Sequence, residues 1–168
     1  MIEVHVVHTP GHDPPLEGVM RLLRHEPVRV RVVMGSPGGL GRARARAIEE
    51  AREPWVSWVD PDDRIEPGLY RVLREAVAPG LNMVHCWEYE HPANGGPARV
   101  NQFAHHGVMV RREAALHLLP AMIAAGDDFP ERDMLALRPC ATVPWPGYHW
   151  HRRVGSLTMP LDGDPRRR

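Results

Sequence analysis

The sequence predicts a single α/β domain in which a Rossmann-like, mostly parallel sheet is flanked by helices. Up to residue 60, apolar segments with strand patterns alternate with segments of helical spacing. This order is typical of a parallel sheet with right-handed crossovers. The third apolar segment, Trp55–Val59, is short and continuous, which favours a central strand. A chain of 168 residues is long enough for one such core and short for two.

Local signals define the first four elements. The Val-rich segment Ile2–His8 alternates as a strand does, and a helix begins after Pro14, because proline is tolerated in a first helical turn. A second strand at Val28–Met34 ends in residues 35–39, whose glycines allow a sharp bend. The helix Arg42–Arg52 carries alanines at every fourth position, a small-residue face suited to close packing on a sheet.

The second half of the chain continues the alternation less regularly. Helices are predicted at Leu69–Ala78 and Arg111–Ala125, strands at Leu81–Tyr89 and Phe103–Val110, and an extended, proline-interrupted segment at Thr142–Trp150. We expect residues 1–160 to form the domain and residues 161–168 to be a flexible, Arg-rich tail.

Composition excludes several classes of protein. Acidic and basic residues balance at 21 each, so no overall field points to nucleic acid or a membrane surface. All the basic residues are arginines, which excludes lysine nucleophiles and Schiff bases. Cys86 and Cys140 form neither a disulfide framework nor a metal motif. The N-terminus lacks a signal-peptide pattern and the longest apolar stretch, Leu116–Ala125, is too short for a bilayer, so we expect a cytoplasmic protein without a membrane span.

Three carboxylates follow the third predicted strand. Asp60, Asp62 and Asp63 come directly after it, at the edge where the carboxyl ends of parallel strands meet. Thr9-Pro10 and Gly35-Ser36 end the other two strands and are expected at the same edge. Carboxylate oxygens in such a cluster suit a hard divalent cation. The alternative is that these aspartates cap the helix after Pro67, since Asp is favoured at helix N-termini.

The region around these carboxylates carries a longer pattern. Residues 43–51 read AlaArgAlaArgAlaIleGluGluAla and are followed by the apolar strand, by Asp60-Pro61-Asp62-Asp63 and by Pro67. In this order and register the chain resembles family 2 glycosyltransferases of the GT-A fold. The resemblance implies a metal-dependent, inverting enzyme that moves a sugar from a nucleotide diphosphate donor, most simply a UDP-sugar, to an acceptor hydroxyl. It also implies Mn²⁺ or Mg²⁺ as the cofactor.

The resemblance further implies roles for individual residues. Asp133, in the sequence GluArgAspMetLeu, would be the catalytic base, with Glu131 and Asp128 as competitors. His105-His106 and Trp87–Tyr89 could form the acceptor side. The implied donor-binding residues are Thr9, Pro10, Gly35, Ser36, Arg44 and Asp60, and the implied metal ligands are Asp60, Asp62 and His151, with His149 as the alternative histidine. For Arg44 a solvated helix face is the competing interpretation, and Asp63 would support the loop or cap the next helix.

The chain departs from the family pattern at the loop that would contact the nucleobase of the donor. The family's second strand usually ends in Asp-Asp-Gly-Ser, whereas this chain has Val33-Met34-Gly35-Ser36. A catalytically silent nucleotide-binding module is therefore a competing hypothesis. The acceptor is open, and a hydroxymethylated base in viral DNA is one possibility. A zinc module is disfavoured because the histidines lack Cys-x-x-Cys or His-Glu-x-x-His spacing.

Overall fold

A mixed β-sheet with helices on both faces organises the molecule. The computed structural model describes residues 1–11, 13–102, 106–126, 133–134 and 136–152. The strands are β1 Ile2–His8, β2 Arg29–Met34, β3 Trp55–Trp58, β4 Arg64–Ile65, β5 Met83–His91, β6 Arg99–Asn101, β7 Val108–Arg111 and β8 Cys140–His151. The helices are α1 Glu17–Leu23, α2 Leu40–Glu50, α3 Leu69–Glu75, α4 Arg112–Ala115 and α5 Leu119–Ala125, with a 3₁₀ turn at Leu116–Leu118.

The strand order confirms the predicted α/β class. Across the sheet the strands lie in the order β2-β1-β3-β7-β5-β8-β4, and β6 pairs with β5 off this path. β1 is parallel to both β2 and β3, and β5 is parallel to β8. β7 is antiparallel to its neighbours β3 and β5, so those two also point the same way. Five of the eight described strands therefore run in one direction.

Each face of the sheet has its own apolar core, because successive side chains of a strand point to opposite faces. On one face, Ile2, Val4 and Val6 pack with residues of α1 and α3. On the other face, Val56 and Trp58 of β3 pack with residues of α2, α4 and α5. The sheet is therefore buried from both sides, as its continuous apolar strands predicted.

The last predicted helix and the last predicted strand differ from the sequence expectation. The predicted helix Arg111–Ala125 is split by the 3₁₀ turn, after which Pro120 occupies the first turn of α5. β8 continues through Pro144 and Pro146, with register irregularities where Trp87 of β5 faces Pro146. A strand bulge absorbs the missing proline N–H groups without ending the strand.

The short strand β4 has no counterpart in the sequence prediction. Its two residues pair antiparallel with the end of β8, with Arg64 opposite His149 and Ile65 opposite Tyr148. Two residues carry too little periodicity to be recognised from sequence. This pairing matters because it places the turn of Asp60–Asp63 directly beside the last residues of β8.

Helices α2 and α5 approach each other closely at Gly41. The Gly41 N–H donates to the carbonyl oxygen of Gly126 over 2.6 Å. A Cβ atom at Gly41 would overlap the carbonyl oxygen of Met122 and lie 2.7 Å from that of Gly126. The contact is backbone against backbone, so a rotamer change cannot relieve the clash.

We expect Gly41→Ala to destabilise the protein by about 1–3 kcal/mol, as overpacking of a tight interface does. The matched control is Gly18→Ala on α1, where a Cβ atom would meet nothing within 4 Å. That change should be neutral or stabilising, because alanine is the better helix former. Urea unfolding measures the free energy of unfolding of both variants. Equal values for Gly41→Ala and Gly18→Ala would show that the α2–α5 contact can widen to admit a Cβ atom without loss of stability.

Candidate active site

The chain direction at the end of β3 brings Asp60 to the sheet edge. The Val59 N–H donates to the His5 carbonyl over 3.0 Å, which continues the β1–β3 ladder to that point. The next residues turn back, and the Asp63 N–H donates to the Asp60 carbonyl over 3.1 Å. The predicted carboxylate cluster therefore sits on a hydrogen-bonded turn between β3 and β4.

Asp63 is the most enclosed carboxylate of this turn, at 4% exposure. Its Oδ2 accepts a hydrogen bond from the Tyr148 hydroxyl over 2.8 Å, and its Oδ1 accepts one from the backbone N–H of His151 over 3.0 Å. The Tyr148 hydroxyl also accepts from the Asp60 N–H over 3.3 Å. Asp63 thus ties the turn to β8.

The helix after the turn is capped by a different carboxylate. The buried Glu26 accepts hydrogen bonds from the N–H groups of Gly68, over 2.6 Å, and Tyr70, over 3.1 Å, at the start of α3. A carboxylate at a helix N-terminus satisfies donors that the helix leaves open. The capping alternative for the aspartates is therefore not what the structure shows. Asp63 supports the loop instead.

His106 completes a group of possible metal ligands. One ligand atom from each of Asp60, Asp63 and His106 lies within 4.8 Å of the others, a grouping found by searching the described residues. His106 Nδ1–H donates to Glu88 Oε2 over 3.0 Å, and the buried Glu88 also accepts from Asn101 Nδ2 over 3.1 Å. The Glu88 carboxylate therefore orients the His106 ring through its Nδ1. A carboxylate that orients a histidine in this way is the usual second shell of a metal site.

The electrostatics of this group favour an added positive charge. Burial raises the pKa of Asp63 well above its usual range, and the charges of Asp60 and Asp62 raise it further, against the opposing effect of His106. For His106, burial lowers the pKa, but its hydrogen bond to Glu88 and the negative charges of Asp63, Glu88 and Asp60 outweigh that effect, so that the pKa is raised overall. Both groups therefore hold protons more tightly than usual, and a cation would take the place of those protons.

Arg44 is part of this site and not a solvated residue. It is 7% exposed on α2, and its Nη2 lies 3.5 Å from Asp60 Oδ1. The ion pair joins the helix that precedes β3 to the carboxylate that follows it. The competing interpretation of Arg44 as a residue on a solvated helix face is therefore excluded.

Two further predicted residues meet where β1 and β2 end. The Gly35 N–H donates to the His8 carbonyl over 2.9 Å, and a Cβ atom at Gly35 would lie 2.8 Å from Thr9 Oγ1. Glycine is therefore required for Thr9 and the loop to lie side by side. Pro10 is exposed. A cleft of about 370 Å³ opens at the same loop and is lined by Met34, Gly35, Ser36, Pro37, Gly38, Gly39, Arg42, Ala43 and Arg46.

Asp62 and His151 lie beside the ligand group without belonging to it. Asp62 is half-buried, and its charge contributes to the raised pKa of Asp63. His151 Nδ1 is 3.9 Å from Asp63 Oδ1. His149 bonds elsewhere, since its Nε2 lies 2.6 Å from Glu66 Oε1. The structure thus groups Asp63 and His106 with Asp60 where the sequence suggested Asp62 and His151.

The predicted base, Asp133, is exposed. It lies on a helical pair of residues anchored by Met134, which is fully buried in the same core as Met122 and Leu137. Glu131 and Asp128, the competing bases, lie outside the described residues. The role of Asp133 stays a prediction.

Sequence reasoning missed the position of His106 and the part played by Glu88. The pattern placed His106 on the acceptor side, because nothing local shows that the start of β7 reaches the turn after β3. The usable signal was an acid in a strand, Glu88, whose burial needs a partner. With eleven histidines in the chain, this signal does not single out His106 as the partner.

Comparison with known proteins identifies the family. Residues 2–127 match the family described as Glycosyl transferase family 2, and the chain belongs to that family. A stretch of 63 residues is 35% identical to a protein of Bacillus subtilis (strain 168) named uncharacterized glycosyltransferase EpsJ. The match covers 37% of this chain and 18% of that relative. The predicted family and enzyme class are confirmed.

Solved structures confirm the GT-A fold. The chain is similar to S. aureus TarS 1-349 in complex with UDP-GlcNAc, with a TM-score of 0.58 and 15% identity, over 92% of this chain and 59% of that one. It is also similar to a glycosyltransferase involved in glycosylation of the major capsid of PBCV-1, with a TM-score of 0.51 and 15% identity, over 85% and 81% of the two chains. No helix among the described residues is long and apolar enough to cross a membrane.

We expect Asp63→Asn to stabilise the metal-free protein at neutral pH. The pKa of the Asp63 carboxyl group is raised in the folded protein. Such a group lowers the free energy of unfolding as the pH rises from the pKa it has in the unfolded chain to the pKa it has in the folded protein. The amide removes that cost, and it can still accept from the His151 N–H and donate to Tyr148. Thermal unfolding at neutral pH should show a melting temperature raised by a few degrees, and the gain should vanish near pH 4, close to the unfolded pKa.

The matched control is Asp13→Asn, a half-buried aspartate on another loop. A lower melting temperature for Asp63→Asn at neutral pH would mean that the carboxylate is stabilising as an anion, against the electrostatics described above.

Proposed function

We propose that the domain is a metal-dependent, inverting glycosyltransferase that moves a sugar from a nucleotide diphosphate donor to an acceptor hydroxyl, with a UDP-sugar as the donor. The observation that carries the proposal is the group of Asp60, Asp63 and His106 at the carboxyl edge of the parallel strands. Family membership and the similarity to TarS bound to UDP-GlcNAc support it. In open α/β sheets this edge is where ligands bind.

The residues present fit a divalent cation. Two carboxylates and an imidazole nitrogen suit Mn²⁺ better than Mg²⁺, because Mg²⁺ prefers oxygen ligands alone. The raised pKa values of Asp63 and His106 supply an electrostatic reason for a cation here. When bound, such an ion acts as a Lewis acid on the diphosphate of the leaving group. Its affinity should fall on acidification, since protons compete for the same atoms.

The remaining residues hold this site in shape and extend it. Arg44 fixes Asp60 through their ion pair, and Tyr148 fixes Asp63 through its hydroxyl. The cleft beside Gly35 and Ser36 offers room for the nucleoside of the donor, and Arg42 at its rim offers a positive charge. Asp133 is the proposed base, which removes the proton of the acceptor hydroxyl as that oxygen attacks the anomeric carbon. Direct attack of this kind inverts the anomeric configuration.

One observation favours a second candidate, the catalytically silent nucleotide-binding module. The loop at Met34 lacks the acid that family members place there, and Met34 itself is 54% exposed. A silent module would keep the site for the cation and the nucleotide but would lack a catalytic base. The two candidates differ in turnover and not in binding.

Donor binding should depend on the metal and on Asp60. Thermal unfolding with UDP-GlcNAc, UDP-glucose or GDP-mannose, each with and without Mn²⁺, is the measurement. A donor at a hundredfold excess over its Kd adds about 2.7 kcal/mol to the free energy of unfolding. We expect this gain for one UDP-sugar with Mn²⁺, and its loss in Asp60→Asn. Glu113→Gln, an exposed acid on α4, is the matched control and should respond as the wild type does.

Turnover should depend on Asp133. We expect Asp133→Asn to lower kcat for donor hydrolysis or transfer by about 10²–10⁴, the usual contribution of a general base, while donor affinity stays unchanged. Release of UDP from the donor identified by thermal unfolding measures both quantities. Wild-type turnover in this variant would assign the base elsewhere. A wild-type protein that binds donor but releases no UDP would favour the silent module.

A further inference from the structure

Two histidines outside the proposed donor site face each other across strands β5 and β8. His91 Nε2 lies 3.0 Å from His149 Nδ1. The opposite nitrogen of the second ring, His149 Nε2, lies 2.6 Å from Glu66 Oε1. His149 is partly buried, at 16% side-chain exposure, while Glu66 is open to solvent at 40%. The three side chains form a chain from a carboxylate through one imidazole to another.

The chemistry of the rings fixes where the protons are. A carboxylate only accepts hydrogen bonds, so His149 Nε2 carries the proton that is donated to Glu66. A neutral imidazole has one protonated nitrogen, which leaves His149 Nδ1 with a free lone pair. His91 therefore donates its Nε2 proton to His149 Nδ1. A single proton holds the two ring nitrogens together.

The same two nitrogens are spaced for a shared metal ion. Zn²⁺ binds imidazole nitrogens at about 2.0–2.1 Å, so two nitrogens on one tetrahedral ion lie about 3.3 Å apart. The observed 3.0 Å is close to this separation, and because the two nitrogens now point at each other, the rings would also turn to face one ion. An ion would take the position of the shared proton, which would move to His91 Nδ1, so that both rings would remain neutral ligands. Glu66 then plays the part of the carboxylate that orients a metal-bound histidine.

A third histidine ring packs against this pair. His151 stacks on His91 with ring centroids 4.3 Å apart and planes 8° from parallel. Rings packed face to face do not point their nitrogens at one ion, so His151 braces His91 and is not a third ligand. The His91 and His149 rings are farther apart, with centroids 5.3 Å apart, and meet through their nitrogens. Water would fill the other coordination positions.

We propose that His91 and His149, oriented by Glu66, form a second metal site for a borderline divalent ion such as Zn²⁺. This site is chemically distinct from the group of Asp60, Asp63 and His106, because it offers nitrogen ligands where that group is mainly carboxylate. It joins the ends of β5 and β8. A bound ion would therefore reinforce the strand that carries the hydrogen bond from the His151 N–H to Asp63.

Cu²⁺ is the probe for this site, because its electron paramagnetic resonance spectrum reports how many imidazole nitrogens are bound. We expect one equivalent of Cu²⁺ added to the untagged protein to show two nitrogens, and a large excess of Zn²⁺ to compete with it, since Cu²⁺ binds such ligands more tightly. His91→Gln and His149→Gln should each remove one nitrogen and weaken the affinity at least tenfold. Glu66→Gln should keep both nitrogens and weaken the affinity about tenfold, the usual effect of losing a second-shell partner.

His25→Gln and His117→Gln, exposed histidines on other elements, are the controls and should bind as the wild type does. His106→Gln should also leave the two-nitrogen spectrum unchanged, which separates this site from the proposed donor site. A spectrum that persists in His149→Gln, or that is lost in His106→Gln, would overturn the proposal. Because Glu66 is exposed, its variant tests the site even where a histidine variant folds poorly.

Discussion

The candidate site depends on one buried carboxylate held by the last strand of the sheet. Asp63 accepts hydrogen bonds from the Tyr148 hydroxyl and from the His151 N–H, and these two bonds fix the turn that also carries Asp60. The short β4–β8 pairing continues the same contact. Burying an acid in this way is costly unless its partners satisfy it. At Asp63 a bound cation would offset that cost.

The histidines of this region follow a common arrangement. Glu88 orients His106 toward the aspartates, and Glu66 orients His149 toward His91. In each pair the carboxylate bonds to one ring nitrogen and so sets the orientation of the imidazole. Both pairs lie on β5, β8 and the segments packed beside them. The second half of the sheet thus supplies much of the chemistry, whereas the first half supplies the Asp60–Asp63 turn, Arg44 and the cleft at the β2 loop.

The sequence was sufficient where the signal is local and insufficient where it depends on pairing between distant strands. The strand Ile2–His8 was predicted with its observed bounds, and the Asp60–Asp63 cluster was predicted at the correct sheet edge, because both follow from local periodicity and chain direction. His106 could not be placed, since its position depends on β7 lying between β3 and β5. β4 was missed because two residues carry no periodic pattern.

The central claim is that a divalent cation binds where Asp60, Asp63 and His106 converge. Pulsed electron paramagnetic resonance of Mn²⁺ bound together with UDP tests it most directly, because a directly coordinated imidazole nitrogen modulates the echo. We expect one tightly bound Mn²⁺ whose nitrogen modulation disappears in His106→Gln and persists in His151→Gln. Modulation that persists in His106→Gln and disappears in His151→Gln would contradict it.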